Sequence, residues 1–167
     1  GVAAIAWVET PDVLVSHTGK MVAIKQPDGS LAFSGTPRGF VAENWMRRAG
    51  MRVSPGNENV ARALRIAADR CDPLGCVVRS KGRVIALVHD VAALPDDCAL
   101  ASLVISRVPV RRRFCPQPQK IIDRFSVWRD GPHVVWLSEN AVRVETAASR
   151  GGKRPWSRYP RPRRNRQ

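Results

Sequence analysis

The chain is built from short apolar runs, rich in Val and Ile, that stop at Gly, Pro or Asp residues. Runs of this kind predict β-strands, because an amphipathic helix needs a longer repeat with a period of 3.6 residues. No apolar run reaches the ~18 residues that a membrane-spanning helix requires. The predicted strands cover 13–16, 21–25, 31–33, 76–79, 83–88, 103–105, 121–122, 133–137 and 142–145.

A few helical segments lie between these runs. Residues 40–49 form one predicted helix, with Phe40, Val41, Trp45 and Met46 on a core-facing side, and Gly50 is a typical stop. A second helix is predicted to begin after 57–59, and shorter turns are predicted at 95–99 and 123–128. The predicted fold class is therefore α/β or α+β, with a mixed β-sheet flanked by short helices.

The 167 residues suggest one domain, which we predict over 10–148. Residues 149–167 are rich in Arg and Pro and predict a disordered basic tail. Residues 2–8 are apolar, so 1–9 predicts either a buried first strand or the end of a transmembrane helix.

The net charge of +14 suggests an anionic partner, such as nucleic acid, an anionic membrane or another protein. Eight of the 28 basic residues, and no acidic residue, fall in 147–167. The remaining 20 basic and 14 acidic residues leave only +6 for the rest of the chain. The domain itself is therefore mildly basic.

Four cysteines allow three interpretations. The spacing from Cys71 to Cys76 is at the edge of the zinc-finger range, whereas Cys98 and Cys115 are 17 residues apart. In an oxidising compartment, an even number in loop positions favours two disulfides, Cys71 with Cys76 and Cys98 with Cys115. A four-cysteine zinc site and unpaired buried thiols are the alternatives.

Local catalytic motifs are absent from the sequence. The three histidines form neither H-x-H nor H-E-x-x-H, and there is no G-x-S-x-G, P-loop or G-x-G-x-x-G. We therefore predict no metal and no cofactor, and the catalytic residues stay undefined.

A basic cluster follows the predicted strand 103–105. Arg111, Arg112 and Arg113 are consecutive, and Lys120 and Arg124 are near them in sequence. A cluster at the end of a strand can contact phosphates, so these five residues are the predicted DNA-binding set. A solvated charged surface is the alternative. The tail adds Trp156 and Tyr159 among its arginines, a mixture that can stack bases or bind anionic lipid.

A series of landmarks in a fixed order gives the chain a family resemblance. They are Asp12-Val13-Leu14-Val15-Ser16, Gly19-Lys20-Met21-Val22-Ala23, Asp28-Gly29, Trp45-Met46-Arg47-Arg48, Cys71-Asp72-Pro73-Leu74-Gly75-Cys76, Asp97-Cys98, Leu103-Val104-Ile105-Ser106, Ile122-Asp123-Arg124-Phe125, Val127-Trp128-Arg129, His133, Trp136-Leu137 and Arg154-Pro155-Trp156. Over roughly 10–157 the chain resembles the C-terminal soluble region of the ComEC family of competence proteins, in the form seen in some Gram-negative bacteria.

The resemblance implies an inner-membrane protein that conducts single-stranded DNA into the cytoplasm during natural transformation. Many members carry a C-terminal metallo-β-lactamase-like domain, proposed to degrade the strand that is not imported. The expected partners are DNA, bound through its backbone, the membrane channel portion of the same parent protein, and other competence proteins. The resemblance also places this domain on the periplasmic side, which favours disulfides.

One departure separates the chain from the metal-binding members. Those members use H-x-H-x-D-H and a later His, whereas the strand 103–105 leads into Ser106-Arg107-Val108-Pro109 here. We therefore expect a degenerate metallo-β-lactamase-like domain that contacts DNA without cutting it. A metal-dependent nuclease and a structural domain packed on the channel are the alternative functions. Asp72, His89, Asp90 and Asp123 are candidates for a reduced polar site.

Overall fold

A computed structural model describes residues 9–35, 37–51 and 70–151. Within these ranges the chain forms two five-stranded sheets and four short helices. The strands are β1 (Val13–Val15), β2 (Val22–Lys25), β3 (Leu31–Phe33), β4 (Arg70–Cys71), β5 (Gly75–Ser80), β6 (Arg83–Val88), β7 (Leu103–Ser106), β8 (Lys120–Ile122), β9 (His133–Leu137) and β10 (Val142–Thr146). The helices are α1 (Gly39–Arg48), α2 (Leu94–Leu100), α3 (Arg124–Asp130) and α4 (Ala147–Gly151).

The first sheet is antiparallel and has the order β10-β9-β1-β2-β3. The strands predicted over 13–16, 21–25 and 31–33 are confirmed and form a meander, and those predicted over 133–137 and 142–145 are confirmed and form a hairpin. Strand β9 pairs with β1, so the two ends of the described chain meet in one sheet.

The second sheet is mixed and has the order β4-β5-β6-β7-β8. Strands β4, β5 and β6 are antiparallel, whereas β6, β7 and β8 are parallel. The parallel pair β6 and β7 needs a crossover, which a 3₁₀ turn (Val91–Ala93) and α2 provide. The expected mixed α and β architecture with short helices is confirmed, and the expected mixed sheet is this second sheet. The separate antiparallel sheet, in which β1 pairs with β9, was not expected.

The main core lies between the two sheets. Val13, Val15 and Ile24 face it from the first sheet, and Ile85 and Leu103 face it from the second. Each sheet also has a covered outer face, where α1 packs on β2 and β3, and α2 packs on β6 and β7. The layers therefore run helix, sheet, sheet, helix, which is the stable solution when both faces of a sheet are apolar.

Helix α1 buries part of the predicted side: Trp45 and Met46 pack against the first sheet as expected, whereas Phe40 does not. Ala42 and Met46 are buried against the first sheet, and the Trp45 ring stacks on Phe33 at 6.4 Å between centroids. Phe40, predicted to be a core residue, is 78% exposed. It lies two residues before Ala42, which is more than half a turn around the helix axis, so it points away from the sheet.

Several predictions concern residues that lie wholly or partly outside the described ranges. The apolar segment 1–8 and the helix predicted after residue 57 lie outside the described residues. Helix α4 covers the first residues of the predicted tail, and 152–167 also lie outside.

A buried carboxylate connects the two sheets. Asp12 is 3% exposed and accepts a hydrogen bond from the Leu137 backbone N–H at 2.7 Å. The Lys81 ammonium, in the turn between β5 and β6, lies 2.9 Å from the same carboxylate. A charge this deeply buried is stable only when its hydrogen bonds are complete.

Asp12→Ala is expected to lower the free energy of unfolding by about 2 kcal/mol, because the buried Leu137 N–H loses its acceptor. Lys81→Met should cost less than Asp12→Ala, because Lys81 is half-exposed and the Leu137 hydrogen bond remains in place. Urea unfolding at neutral pH measures both. Equal losses for the two variants would show that the ion pair, and not the amide, determines the contribution of Asp12.

Candidate nucleic-acid interface

The parallel strands β6, β7 and β8 end at one edge of the second sheet. A polar residue directly follows each strand: His89 follows β6, Arg107 follows β7 and Asp123 follows β8. In open α/β sheets, ligands bind outside the carboxyl ends of the strands, so this edge is the place where a binding site is expected.

Asp123 fastens two segments together at this edge. Its side chain is 7% exposed. One carboxylate oxygen accepts the Val110 N–H at 3.0 Å, and the other accepts the Ser126 N–H and hydroxyl, each at 2.8 Å. Asp123 is therefore both the N-cap of α3 and the anchor of the segment that leads into the arginines.

The arginine loop, residues 107–119, connects β7 to β8. A 3₁₀ turn spans Arg112–Phe114, and Arg111 is its N-cap residue. The turn is held on its other side by the disulfide between Cys115 and Cys98 of α2, whose Cα atoms are 5.2 Å apart. The loop is thus attached at Val110 and at Cys115, five residues apart, and the three arginines lie between the two attachments.

The structure brings together four of the five predicted DNA-binding residues. Arg111, Arg112 and Arg113 are exposed in the loop, and Arg124 is exposed directly after the Asp123 anchor. Lys120 is also exposed but begins β8, in register with Leu103 at the start of β7. It therefore lies at the opposite end of that strand and not at the carboxyl edge.

These arginines keep their charge available. In the described ranges, no carboxylate forms an ion pair with Arg111, Arg112, Arg113 or Arg124. The Arg113 guanidinium lies over the Phe114 ring, 4.5 Å from its centroid. A cation over an aromatic face stays fully charged and can still bind a phosphate.

The disulfide prediction is confirmed. Cys71 pairs with Cys76 across β4 and β5, and Cys98 pairs with Cys115. All four cysteines are bonded in this way, so the zinc and buried-thiol alternatives are wrong.

The predicted polar site does not assemble. Asp72 accepts the Leu74 and Gly75 N–H groups, Asp90 accepts the Ala92 N–H, and Asp123 holds Val110 and Ser126 as described. Each carboxylate thus shapes a turn or a cap. Across the described part of the chain, no three His, Cys, Asp or Glu side chains are grouped as metal ligands would be.

Two titratable groups near this edge have perturbed pKa values. Burial lowers the pKa of His89, the positive charge of Arg107 lowers it further, and Asp72 partly opposes both. Burial raises the pKa of Asp97, and the carboxylates of Asp72 and Asp96 raise it further. His89 is therefore neutral at pH 7, and the positive charge of the edge comes from arginine.

Two exposed aromatic side chains on α3 were not among the predicted site residues. Phe125 is 56% exposed and Trp128 is 67% exposed, whereas Val127 between them is buried in the inter-sheet core. Residues three apart share one side of a helix, so both rings face solvent beside Arg124. The sequence did not reveal this aromatic surface, because the seven residues of α3 are too few to distinguish exposed rings from a stripe that faces the core.

Comparison with protein-family models, with curated proteins and with solved structures finds no match. Among the described helices, none has the length and apolarity needed to cross a bilayer.

Asp123→Ala is expected to release the Val110 end of the arginine loop and the N-cap of α3, and to cost about 2 kcal/mol of unfolding free energy, because a cap and a buried acceptor are lost together. Hydrogen exchange should accelerate at the amides of Val110 and Ser126. Asp90→Ala, which removes the cap of an exposed turn, is the control and should affect the Ala92 amide alone. Unchanged exchange at Val110 in Asp123→Ala would contradict the anchoring role.

Proposed function

We propose that this domain binds DNA through its sugar-phosphate backbone, without sequence preference and without cutting it. One observation carries the proposal: the arginine loop, residues 107–119, holds four basic and no acidic residues, and its arginines are unpaired with carboxylates in the described ranges. Unpaired guanidinium groups bind phosphates in pairs of hydrogen bonds and release counterions from the DNA.

Anchoring of the loop supports this role. A flexible arginine run loses conformational entropy when it binds, whereas a loop fixed at both ends has already lost most of it on folding. The Asp123 hydrogen bonds and the Cys98–Cys115 disulfide fix the ends. The three guanidinium groups therefore project from one short segment at a low entropic cost.

The aromatic side chains of α3 extend the surface. Exposed rings next to arginines are typical of proteins that bind single strands, because every unpaired base offers a face for stacking. Phe125 and Trp128 stand beside Arg124, which follows the anchor of the arginine loop. A strand that meets the arginines through its phosphates can stack its bases on these rings.

The ComEC resemblance supplies the proposed context. In it, the domain is the C-terminal part of an inner-membrane DNA-uptake channel and faces the periplasm, with the channel portion and other competence proteins as partners. Two disulfides favour an oxidising compartment. The helix, sheet, sheet, helix layering, with a candidate site at the carboxyl edge, supports a degenerate metallo-β-lactamase-like fold.

The triple variant Arg111→Ala, Arg112→Ala, Arg113→Ala is expected to weaken DNA binding and to flatten its salt dependence. Each lost phosphate contact reduces the magnitude of the negative slope of log K against log salt by about 0.7 to 0.9. The control is Arg38→Ala, Arg47→Ala, Arg48→Ala, which removes the same charge from α1 on the first sheet. Fluorescence anisotropy across a salt series measures both, and equal slopes for the two triple variants would contradict the proposal.

Trp128→Ala is expected to weaken binding to a single-stranded oligonucleotide about tenfold, since stacking one base contributes about 1 to 3 kcal/mol. Binding to the matching duplex should change less than about twofold, because its bases are already stacked. Leu100→Ala, which removes another exposed apolar side chain, is the control. An equal loss on both DNA forms would remove stacking from the mechanism while leaving backbone binding by the arginines intact.

A further inference from the structure

A second surface lies on the outer side of the first sheet, away from the arginine loop. Helix α1 covers β2 and β3, and its cluster reaches β1 only at its edge. The remaining part of that face forms an open groove of about 870 Å³ between α1 and β9. Its floor consists of Leu14, Leu31, Val134 and Trp136.

The groove is apolar inside and has an aromatic side chain at its mouth. Phe40 lines it from the first turn of α1 and is 78% exposed, the most of any large hydrophobic side chain among the described residues. Trp136 is fixed in the floor, since its indole N–H donates to the Glu9 backbone carbonyl at 3.0 Å and the Arg143 guanidinium lies 4.0 Å from the ring centroid. The groove is therefore preformed.

Cations stand along the rim of the groove. Lys25, Arg48 and Arg150 line it, and Glu9 is its one acidic lining residue. Glu9 is paired with Arg143 at 3.0 Å, and Arg150 is paired with Glu145 at 2.8 Å. Among the described carboxylates, none pairs with Lys25 or Arg48. The rim thus keeps positive charge beside apolar surface.

We propose that this groove is a membrane-docking surface that takes an anionic bilayer. Phe40 inserts at the level of the headgroups from the mouth of the groove, and Lys25 and Arg48 bind lipid phosphates. Apolar side chains flanked by cations are the combination that holds a protein at an anionic interface. A partner that offers only acidic groups would match the rim alone, whereas an anionic lipid surface matches both the rim and the apolar side chains.

The position of the groove favours a bilayer over a soluble partner. The lining of the groove includes Glu9, Thr10 and Pro11. The seven residues that precede Glu9 in the sequence carry no charge, and the indole N–H of Trp7 is the one polar group among their side chains. Glu9, in the lining, is therefore joined along the chain to an apolar stretch of the sequence. This inference does not depend on DNA binding.

The first test is sedimentation of the full chain with vesicles of phosphatidylcholine, alone or mixed with phosphatidylglycerol. The double variant Phe40→Ser, Arg48→Gln is expected to bind the mixed vesicles about tenfold more weakly, since it loses one inserted ring and one phosphate contact. The control, Phe125→Ser, Arg47→Gln, makes the same chemical changes outside the groove. Both variants keep the basic tail, so equal binding by the two would overturn the proposal and assign vesicle binding to other parts of the chain.

The second test measures depth directly. All four native cysteines form disulfides, so Phe40→Cys introduces a unique thiol for a nitroxide label. Mixed vesicles should increase the access of oxygen to this label and decrease that of a water-soluble nickel chelate. A label at Trp128→Cys should keep its access to the chelate. A label at Phe40→Cys that stays open to the chelate, or is shielded before lipid is added as protein concentration rises, would overturn the proposal in favour of a solvated or protein-covered groove. DNA binding by Phe40→Ser, Arg48→Gln should stay unchanged, which separates this surface from the arginine loop.

Discussion

The carboxylate of Asp123 is the constraint on which the candidate interface depends. It accepts hydrogen bonds from the segment before the arginines and from the first turn of α3, and it is nearly inaccessible to water. Because it is buried, its negative charge reduces repulsion among nearby arginines but does not compete with a phosphate at the surface. A surface carboxylate in the same place would form ion pairs with the guanidinium groups. The domain can therefore hold several cations close together and keep them available.

The layered core explains why this anchor lies where it does. Every residue of β7 is buried, because the inter-sheet core covers one face of the strand and α2 covers the other. Polar groups near such a strand can reach solvent only beyond its ends. The parallel direction of β6, β7 and β8 then collects those ends at one edge, and the long connection from β7 to β8 must start there. The position of the arginine loop therefore follows from the sheet topology.

Local sequence signals predicted the local structure well. The β-branched runs became strands, and the Lys81–Gly82 turn closed the hairpin of β5 and β6 with positive φ at both residues. Cysteine number and spacing predicted the correct disulfide pairs. Long-range features were not predictable in this way. The pairing of β1 with β9, which joins the meander and the C-terminal hairpin into the first sheet, connects residues far apart in the chain, and nothing in the 13–15 sequence specifies that neighbour. The solvent-facing rings of Phe125 and Trp128 were missed because a seven-residue helix has too few positions to define a face.

The net charge alone does not show where a polyanion binds, because several of the arginines that it counts form ion pairs with carboxylates away from the arginine loop. Arg47, Arg143 and Arg150 all form ion pairs with glutamates on α1 or on the first sheet and its N-terminal approach. Such pairs largely cancel at a distance and contribute little to the attraction of a polyanion. In the described arginine loop, by contrast, Arg107 donates to the Lys20 carbonyl and Arg113 lies on a ring, so neither charge is neutralised. The attractive field therefore arises from residues that lack carboxylate partners, which makes pairing a sharper guide to a polyanion site than the total of +14.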